Sequence, residues 1–263
     1  MSEKTAVEIV KAARSEEKIT SAEILTQLFS DFIELHGDRS GTDDPAIKGG
    51  IADFHGQAVT VITTDRGQSI EERMACHFGC PEPGGYRKSL RLIKQAQKFG
   101  RPVFCFVNTP GAYPGQSAEE NGQGSAIAQN LLEISKLAIP IITVVFGEGG
   151  SGGALALACG DEVWMLENST YSILSPEGFA SILWKNSSRA AEAAEIMQLT
   201  PQALKKQGII EGIIAEPADH QAVIANLDAV LTRELAALQK LTPAELLQHC
   251  LLYTSPSPRD YAA

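Results

Sequence analysis

The sequence has no run of 18 or more consecutive apolar residues, the length that a helix needs to cross a bilayer. Its first 14 residues alternate charged and apolar side chains, unlike the continuous apolar stretch of a secretory signal. Five cysteines are too few, and odd in number, for the disulfide framework of a secreted protein in a chain of 263 residues. These absences predict a cytoplasmic protein that does not associate with a membrane.

Positive charge is scarce as well. The chain has 22 Lys and Arg against 32 Asp and Glu, which gives a formal net charge of −10 at pH 7. Since a nucleic-acid-binding surface carries net positive charge, we expect no nucleic-acid partner.

A complete metal site is also missing from the sequence. Cys76, His77 and Cys80 lie close together, but no second Cys/His pair stands at ligand spacing. Because structural zinc usually takes four ligands, we predict no metal in this chain.

Strands alternate with helices along most of the chain, which indicates βαβ units and a mainly parallel sheet of an α/β fold. The predicted strands are 59–63, 103–107, 141–146 and 163–166, and the predicted helices are 86–99, 119–137, 153–158 and 220–239. Two more helices should begin at Thr200-Pro201 and Thr242-Pro243, where a capping residue precedes proline.

The two ends of the chain depart from this pattern. The first 40 residues are predicted to be helical, because a helix capped by Thr20 or Ser21 would carry one apolar face from Ile24 to Leu35. Residues 251–263 abandon the helical pattern and resemble translated cloning sequence, so we predict a non-native, disordered tail. The predicted organisation is a helical segment at 1–40, one domain at 41–250 and this tail.

A strand, a glycine-rich turn and an apolar helix follow one another in residues 141–158. The strand is predicted to end at Gly147 and the helix to begin at Gly153. Glycines remove the Cβ atoms that keep a ligand from the backbone, and the first turn of a helix leaves its N–H groups unpaired. We therefore expect this turn to bind an anion, or an oxygen that becomes one, unless its glycines serve only to pack the strand on the helix.

Two motifs in this turn suggest other chemistries. Gly147, Gly149 and Gly152 match a dinucleotide fingerprint, but little sheet is predicted to follow them. Ser151 lies in a G-x-S-x-G pattern, which is the nucleophile turn of serine hydrolases. The histidines downstream of it, His220 and His249, lie in helical segments and are poor candidates for its base.

A third chemistry needs no side chain, because backbone N–H groups alone can stabilise a developing negative charge. A second turn supports it, since strand 103–107 ends in Asn108–Gly115 and adjacent parallel strands place their ends along one edge of a sheet. The candidate donors are Gly149, Gly150, Ser151 and Gly152 in one turn and Gly111 and Ala112 in the other.

Helix 86–99 carries a basic stripe of Arg87, Arg91, Lys94 and Lys98. The stripe either faces solvent or contacts phosphates or an acidic partner. Arg87 and Lys88, which lie nearest to a glycine-rich loop, are the better candidates for such a contact.

Several long segments together resemble the carboxyltransferase alpha subunits of multi-subunit acetyl-CoA carboxylases, over roughly Ser21 to Cys250. The segments are Leu35–Arg39, Gly85–Lys88, Thr109–Gly115, Gly147–Ala156 and Tyr171–Trp184. Gly84 and Asn121 depart from the family's pattern, which more often has Glu and Arg at these positions.

The resemblance implies a ClpP/crotonase fold, a ββα superhelix, with helical extensions at both ends. It also implies an α2β2 complex with a beta subunit that carries a zinc ribbon and most of the acetyl-CoA site. The reaction would move carboxylate from carboxybiotin to acetyl-CoA and form malonyl-CoA for fatty-acid synthesis. The chain has no Met-Lys-Met triplet and no Gly-Lys-Ser/Thr motif, so biotin should arrive on a separate biotin carboxyl carrier protein, and ATP should be consumed elsewhere in the complex, by biotin carboxylase.

The resemblance also gives the two glycine turns a role as donors to the ureido oxygen of biotin. The candidate substrate-binding residues are Tyr113, Gly115, Ser175, Arg87 and Lys88. Of these, Tyr113 and Ser175 are candidates for the biotin pocket, and Arg87 and Lys88 for a contact with CoA phosphates or with an acidic face of the partner. For Tyr113 and Ser175 a structural role is the favoured alternative, because a polar group in a turn often bonds only the backbone.

Overall fold

A computed structural model describes residues 4–251. Apart from Leu251, the predicted tail lies outside the described residues. The strands are β1 (Ser30–Glu34), β2 (Ile47–Phe54), β3 (Gln57–Thr64), β4 (Val103–Thr109), β5 (Ile141–Gly150), β6 (Glu162–Leu166), β7 (Thr170–Ser172) and β8 (Gly212–Ile214). The helices are α1 (Ala6–Ala13), α2 (Ser21–Leu28), α3 (Ile70–Ala75), α4 (Pro83–Phe99), α5 (Gln116–Glu120), α6 (Gln123–Ile134), α7 (Ser151–Leu155), α8 (Pro176–Trp184), α9 (Ala190–Ile196), α10 (Pro201–Lys206), α11 (His220–Leu238) and α12 (Pro243–Leu251).

These strands form one sheet in the order β1-β2-β3-β4-β5-β6-β8, and β7 pairs with β5 beside this path. The pairs from β3 through β6 to β8 are parallel, and only β1 and β2 run antiparallel to their neighbours. The prediction of a mainly parallel α/β sheet is confirmed, as are the four predicted strands and the helix starts at Pro201 and Pro243.

Alternate side chains of the central strands pack into two separate hydrophobic clusters, one on each face of the sheet. Phe104 and Phe106 of β4 pack in the cluster that α2, α11 and Leu246 of α12 cover. Cys105 and Val107 pack in the cluster that α4 and α6 cover. Because β3, β4 and β5 are parallel, the loops that follow them lie at the same carboxyl edge of the sheet.

The predicted helix with an apolar face from Ile24 to Leu35 ends at Leu28, so the prediction is wrong beyond this residue. Residues 30–34 form the edge strand β1, and β2, which was not predicted, pairs with it. The backbone of β1 lies so close to Gly50 that a Cβ there would be 2.1 Å from the Ile33 carbonyl oxygen. The Phe29 ring packs on Phe54 and Phe104, with centroids 5.6 and 5.8 Å apart. Contacts with distant residues therefore end the helix.

The predicted helix 119–137 is also divided. Residues Asn121 and Gly122 separate α5 from α6, and Gly122 has a φ of 82°, a conformation that glycine adopts without strain. Among residues 4–251, no helix combines the length and the apolar composition needed to span a membrane.

Asp161, which precedes β6, is a buried carboxyl whose ionisation should lower the stability of the fold. Burial raises the pKa of this carboxyl to about 7, although one of its oxygens accepts a hydrogen bond from the Ile141 amide at 2.8 Å. Since the unfolded carboxyl titrates near 4, the free energy of unfolding should fall as the pH rises from about 4 through 7. Asp161→Asn keeps an acceptor oxygen and cannot ionise, so it should be on the order of 2–4 kcal/mol more stable than the parent at pH 8.

Urea unfolding of both proteins at several pH values between 4.5 and 8 measures this effect. The difference between them should shrink steadily towards the acid end. A difference that does not depend on pH would show that the charge of Asp161 is not its cause.

Candidate functional site

Two glycine segments, residues 108–115 and residues 147–153, lie side by side at the carboxyl ends of β4 and β5. Thr109 is the register partner of Gly149 there. Their contact is backbone against backbone. A Cβ on Gly150 would be 2.1 Å from the Pro110 carbonyl oxygen, and a Cβ on Gly153 would be 2.5 Å from the Ala112 nitrogen. Since real Cβ atoms do not approach that closely, the two segments can touch only because these residues are glycine.

The boundary between β5 and α7 differs from the prediction. The strand continues to Gly150, because β7 pairs with its end from Glu148 to Gly150, and the helix begins at Ser151. Gly149 and Gly150 are therefore strand residues. The amides at the first turn of a helix, which have no carbonyl partner within it, are those of Ser151, Gly152 and Gly153.

This boundary removes support from the dinucleotide interpretation. Two of the fingerprint glycines, Gly147 and Gly149, lie inside β5 and not in a turn that could surround a pyrophosphate. Gly147 instead accommodates the Asn108 side chain, because a Cβ on it would lie 2.3 Å from the amide oxygen of that residue.

Ser151 is exposed and has a φ of 56°. A non-glycine residue in this region carries strain of about 1–3 kcal/mol, and such strain is common at functional sites. The conformation resembles that of a nucleophile turn, but His220, the candidate base, is occupied elsewhere. Its two ring nitrogens contact Glu23 Oε1 at 2.8 Å and the Glu17 carbonyl oxygen at 2.9 Å.

Some backbone amides of the turn after β4 already donate a hydrogen bond within the protein. The Gly111 N–H donates to Thr109 Oγ1 at 3.1 Å, and the Tyr113 N–H donates to the Pro81 carbonyl at 3.0 Å. The expectation that Gly111 donates to a ligand is therefore revised, because its donor is already in use. Ala112, which contacts Gly153, is the stronger candidate in this turn.

The Tyr113 ring packs against Gly115. The Tyr113 ring contacts His77 edge-on, with centroids 3.9 Å apart. A Cβ on Gly115 would lie 2.3 Å from the Tyr113 ring, so glycine there lets the ring fold back over the chain. This contact accounts for Gly115 without a ligand.

Ser175 caps helix α8 by accepting a hydrogen bond from the Gly178 amide at 3.1 Å. It also lines a cavity of about 50 Å³ together with Pro110, Gly149 and Gly150. The fold thus brings Ser175 to the glycine segments, although its hydroxyl already has a structural role.

Arg87 and Lys88 are bound to an acidic loop of the protein itself. Lys88 is 1% exposed and donates to the carboxylate of Asp43 and, at 2.8 Å, to the carbonyl of Asp44. Arg87 donates to Asp38 at 2.7 Å. Burial alone would raise the pKa of Asp38, but hydrogen bonds from neighbouring groups outweigh it and hold that pKa well below its usual range. These two cations stabilise the loop, so a contact with substrate phosphates has no support.

A charged cluster that the sequence analysis missed lies directly beside the glycine segments. Glu148 is 9% exposed and forms ion pairs with Arg14 at 2.7 Å and Arg66 at 3.1 Å, while its amide donates to Asn108 Oδ1 at 3.0 Å. Arg14 also pairs with Glu177 of α8 at 2.8 Å. Glu148 is a charged residue within the glycine-rich motif, and this position in the sequence could have identified it as a candidate site residue. Its partner Arg14 is 134 positions away, so no local pattern could reveal the pair.

Within the part of the chain that the structure describes, no three His, Cys, Asp or Glu side chains are grouped as metal ligands. Burial raises the pKa of Cys76 to about 11 and also raises the pKa of Cys80.

Comparison with known proteins gives a consistent result. A family described as "Acetyl co-enzyme A carboxylase carboxyltransferase-like" matches residues 1–252. Curated proteins named acetyl-coenzyme A carboxylase carboxyl transferase subunit alpha are also similar. That of Streptococcus thermophilus (strain ATCC BAA-491 / LMD-9) is 53% identical over 241 residues, covering 91% of this chain and 94% of the relative. That of Streptococcus sanguinis (strain SK36) is 51% identical over 242 residues, with coverage of 92% and 94%.

Solved structures with low sequence identity share the fold. The transcarboxylase 12S crystal structure with methylmalonyl-coenzyme A bound matches with a TM-score of 0.66 and 18% identity, over 86% of this chain and 44% of that chain. This chain therefore spans less than half of the transcarboxylase chain. A Pseudomonas malonate decarboxylase hetero-tetramer matches with a TM-score of 0.66 and 15% identity, over 83% of this chain and 88% of that chain. These likenesses confirm the predicted crotonase fold.

The contact between the two glycine segments can be tested with adjacent alanine substitutions. Gly153→Ala should lower the free energy of unfolding by about 1–3 kcal/mol, because its Cβ would overlap the Ala112 nitrogen. Gly152→Ala is the matched control, since its Cβ would meet nothing closer than Ile127 Cγ2 at 3.6 Å, and a change within about 0.5 kcal/mol is expected. Urea unfolding measures both, and equal effects would contradict the close approach at Gly153.

Proposed function

This chain belongs to the acetyl-CoA carboxylase carboxyltransferase-like family as a carboxyltransferase alpha subunit, and we propose that it builds the carboxybiotin-facing half of the active site. Carboxylate would pass from carboxybiotin, held by a separate biotin carboxyl carrier protein, to acetyl-CoA and form malonyl-CoA. The observation that carries the proposal is the backbone contact between the ends of β4 and β5. It brings Ala112 and the first turn of α7 to one place.

The chemistry follows from where charge appears. When carboxylate leaves the biotin nitrogen, electron density moves onto the ureido oxygen of biotin. The Ala112 N–H and the N–H groups at the first turn of α7, from Ser151 to Gly153, are the proposed donors to that oxygen. Amides fixed by the backbone need no reorientation during the reaction, and removal of one such donor typically costs about 10²–10³ in kcat.

The proposed partner is a carboxyltransferase beta subunit in an α2β2 complex, which would provide the acetyl-CoA site and the zinc ribbon. Large apolar side chains that remain exposed after β7 and on α8 and α9 support a protein partner. These side chains, each 54–78% exposed, are Ile173, Ile182, Leu183 and Ile196. Biotin carboxylase would regenerate carboxybiotin with ATP. The proposed location is the cytoplasm, whose reducing conditions suit the free thiols of Cys76, Cys80 and Cys105.

Reconstitution tests the proposal directly. We expect co-expression with the matching beta subunit to produce an enzyme that transfers carboxylate from malonyl-CoA to biocytin, measured as malonyl-CoA decarboxylation. Neither chain alone should be active, because each provides one half of the site. An inactive reconstituted complex would contradict the proposal.

Ser151 separates carboxyl transfer from the serine hydrolase alternative. Transfer needs the amide of residue 151, which Ser151→Ala retains, so activity should stay within about threefold of wild type. A hydrolase would lose at least about 10³-fold, because its nucleophile would be gone. Ser151→Gly, which removes the strain of a positive φ, is the control for backbone effects. Labelling of Ser151 by a fluorophosphonate probe would favour the hydrolase.

A further inference from the structure

The side chain of Tyr86, on α4, is completely buried, and its hydroxyl has no hydrogen-bond partner among the described residues. An unpaired buried hydroxyl costs about 1–3 kcal/mol, so such groups are rare in folded proteins. Tyr86 is not among the proposed donors to the ureido oxygen. Its position in the fold gives it a role.

The hydroxyl lies where the two glycine segments meet. A Cβ on Gly153 would be 2.7 Å from the Tyr86 hydroxyl oxygen and 2.5 Å from the Ala112 nitrogen. The Tyr86 hydroxyl and the Ala112 nitrogen therefore both pack against Gly153 at the first turn of α7. This is the place where we propose that backbone amides stabilise a developing negative charge.

The hydroxyl also keeps its proton. Burial raises the pKa of Tyr86 far above its usual value, and the nearby Asp44 and Cys80 raise it further. The side chain is consequently a neutral donor throughout the working pH range. Its O–H can rotate about the C–O bond, so it can turn towards an acceptor that arrives with a ligand.

We propose that the Tyr86 hydroxyl is a further donor of the oxyanion site, which pairs with the ureido oxygen of carboxybiotin once that oxygen binds at the first turn of α7. Catalytic hydrogen bonds commonly form only in the complex, which explains a donor that is unpaired in the free subunit. The inference rests on the proposed function. Since Tyr86 would touch the reacting group, it would be a catalytic residue.

A structural role for the hydroxyl is the competing explanation. Gln123 Oε1 is likewise buried without a partner among the described residues, and the amide nitrogen of Gln123 donates to the carbonyls of Pro81 at 2.8 Å and Tyr113 at 3.1 Å. A water molecule shared by Tyr86 and Gln123 would satisfy both side chains. The two explanations differ in what removal of the hydroxyl does to stability and to kcat.

Tyr86→Phe in the reconstituted complex with the beta subunit is the test. We expect kcat for carboxyl transfer to biocytin to fall by about 10- to 100-fold, with KM within about threefold of wild type. The unfolding temperature should stay equal or rise, because an unpaired hydroxyl is removed. Thr143→Val is the matched control, since it removes a fully buried hydroxyl that donates to the Leu157 carbonyl at 2.8 Å, away from the site. It should lower the unfolding temperature and leave kcat unchanged.

A Tyr86→Phe complex with kcat within about threefold of wild type would overturn the inference, and a lower unfolding temperature would then indicate the shared water. If the variant fails to assemble, fluorotyrosines incorporated at position 86 keep the ring and the hydroxyl. Their kcat should change steadily with the acidity of the hydroxyl, and a flat series would overturn the inference. An inactive wild-type complex is a different result, because it contradicts the proposed function itself.

Discussion

The close approach of two backbone segments at the ends of β4 and β5 is the constraint on which the candidate site depends. The parallel pairing of these strands brings Thr109 beside Gly149, and the missing Cβ atoms of Gly150 and Gly153 let the following residues touch. A site made of backbone amides cannot be adjusted by side-chain rotation. Its geometry is only as accurate as the packing of the sheet and of the helices that cover it.

Two charged networks hold this geometry from opposite sides. Glu148 ties the end of β5 to Arg14 of the N-terminal segment and to Arg66 after β3. On the other face, Lys88 binds the acidic loop before β2 and anchors α4, the helix that carries Tyr86. Removing the partners of the buried Lys88 or Glu148 side chain would leave a charge without compensation, which is destabilising. Both networks thus restrain elements that contact the glycine segments, although neither is proposed to contact a substrate.

The elements that could be predicted from the sequence are those whose signal is local. The strands around Val103 and Ile141 are continuous runs of β-branched and aromatic residues, and Thr200-Pro201 is a local start signal, so each was recognised. The sequence-based predictions differ from the structure where contacts with residues distant in the chain determine the local conformation or the role of a side chain. Ser30 and Ile33 belong to a strand because β2 pairs with them, and β5 extends to Gly150 because β7 pairs with it. Lys88 was expected to be available to a substrate, but burial against Asp43 gives it a structural role.

The sequence by itself determined the family, the α/β fold and the two glycine segments, because spacing and residue type are properties of neighbouring positions. Only the tertiary structure decided which candidate donors lie together and which is already bonded within the protein. The Gly111 amide is occupied by Thr109, and the positions of the Ala112 amide and the Tyr86 hydroxyl become related only when α4, β4 and α7 pack together. The physical reason is that a hydrogen bond depends on distance and direction in space. For residues that are far apart in the chain, both are set by the packing of the whole fold.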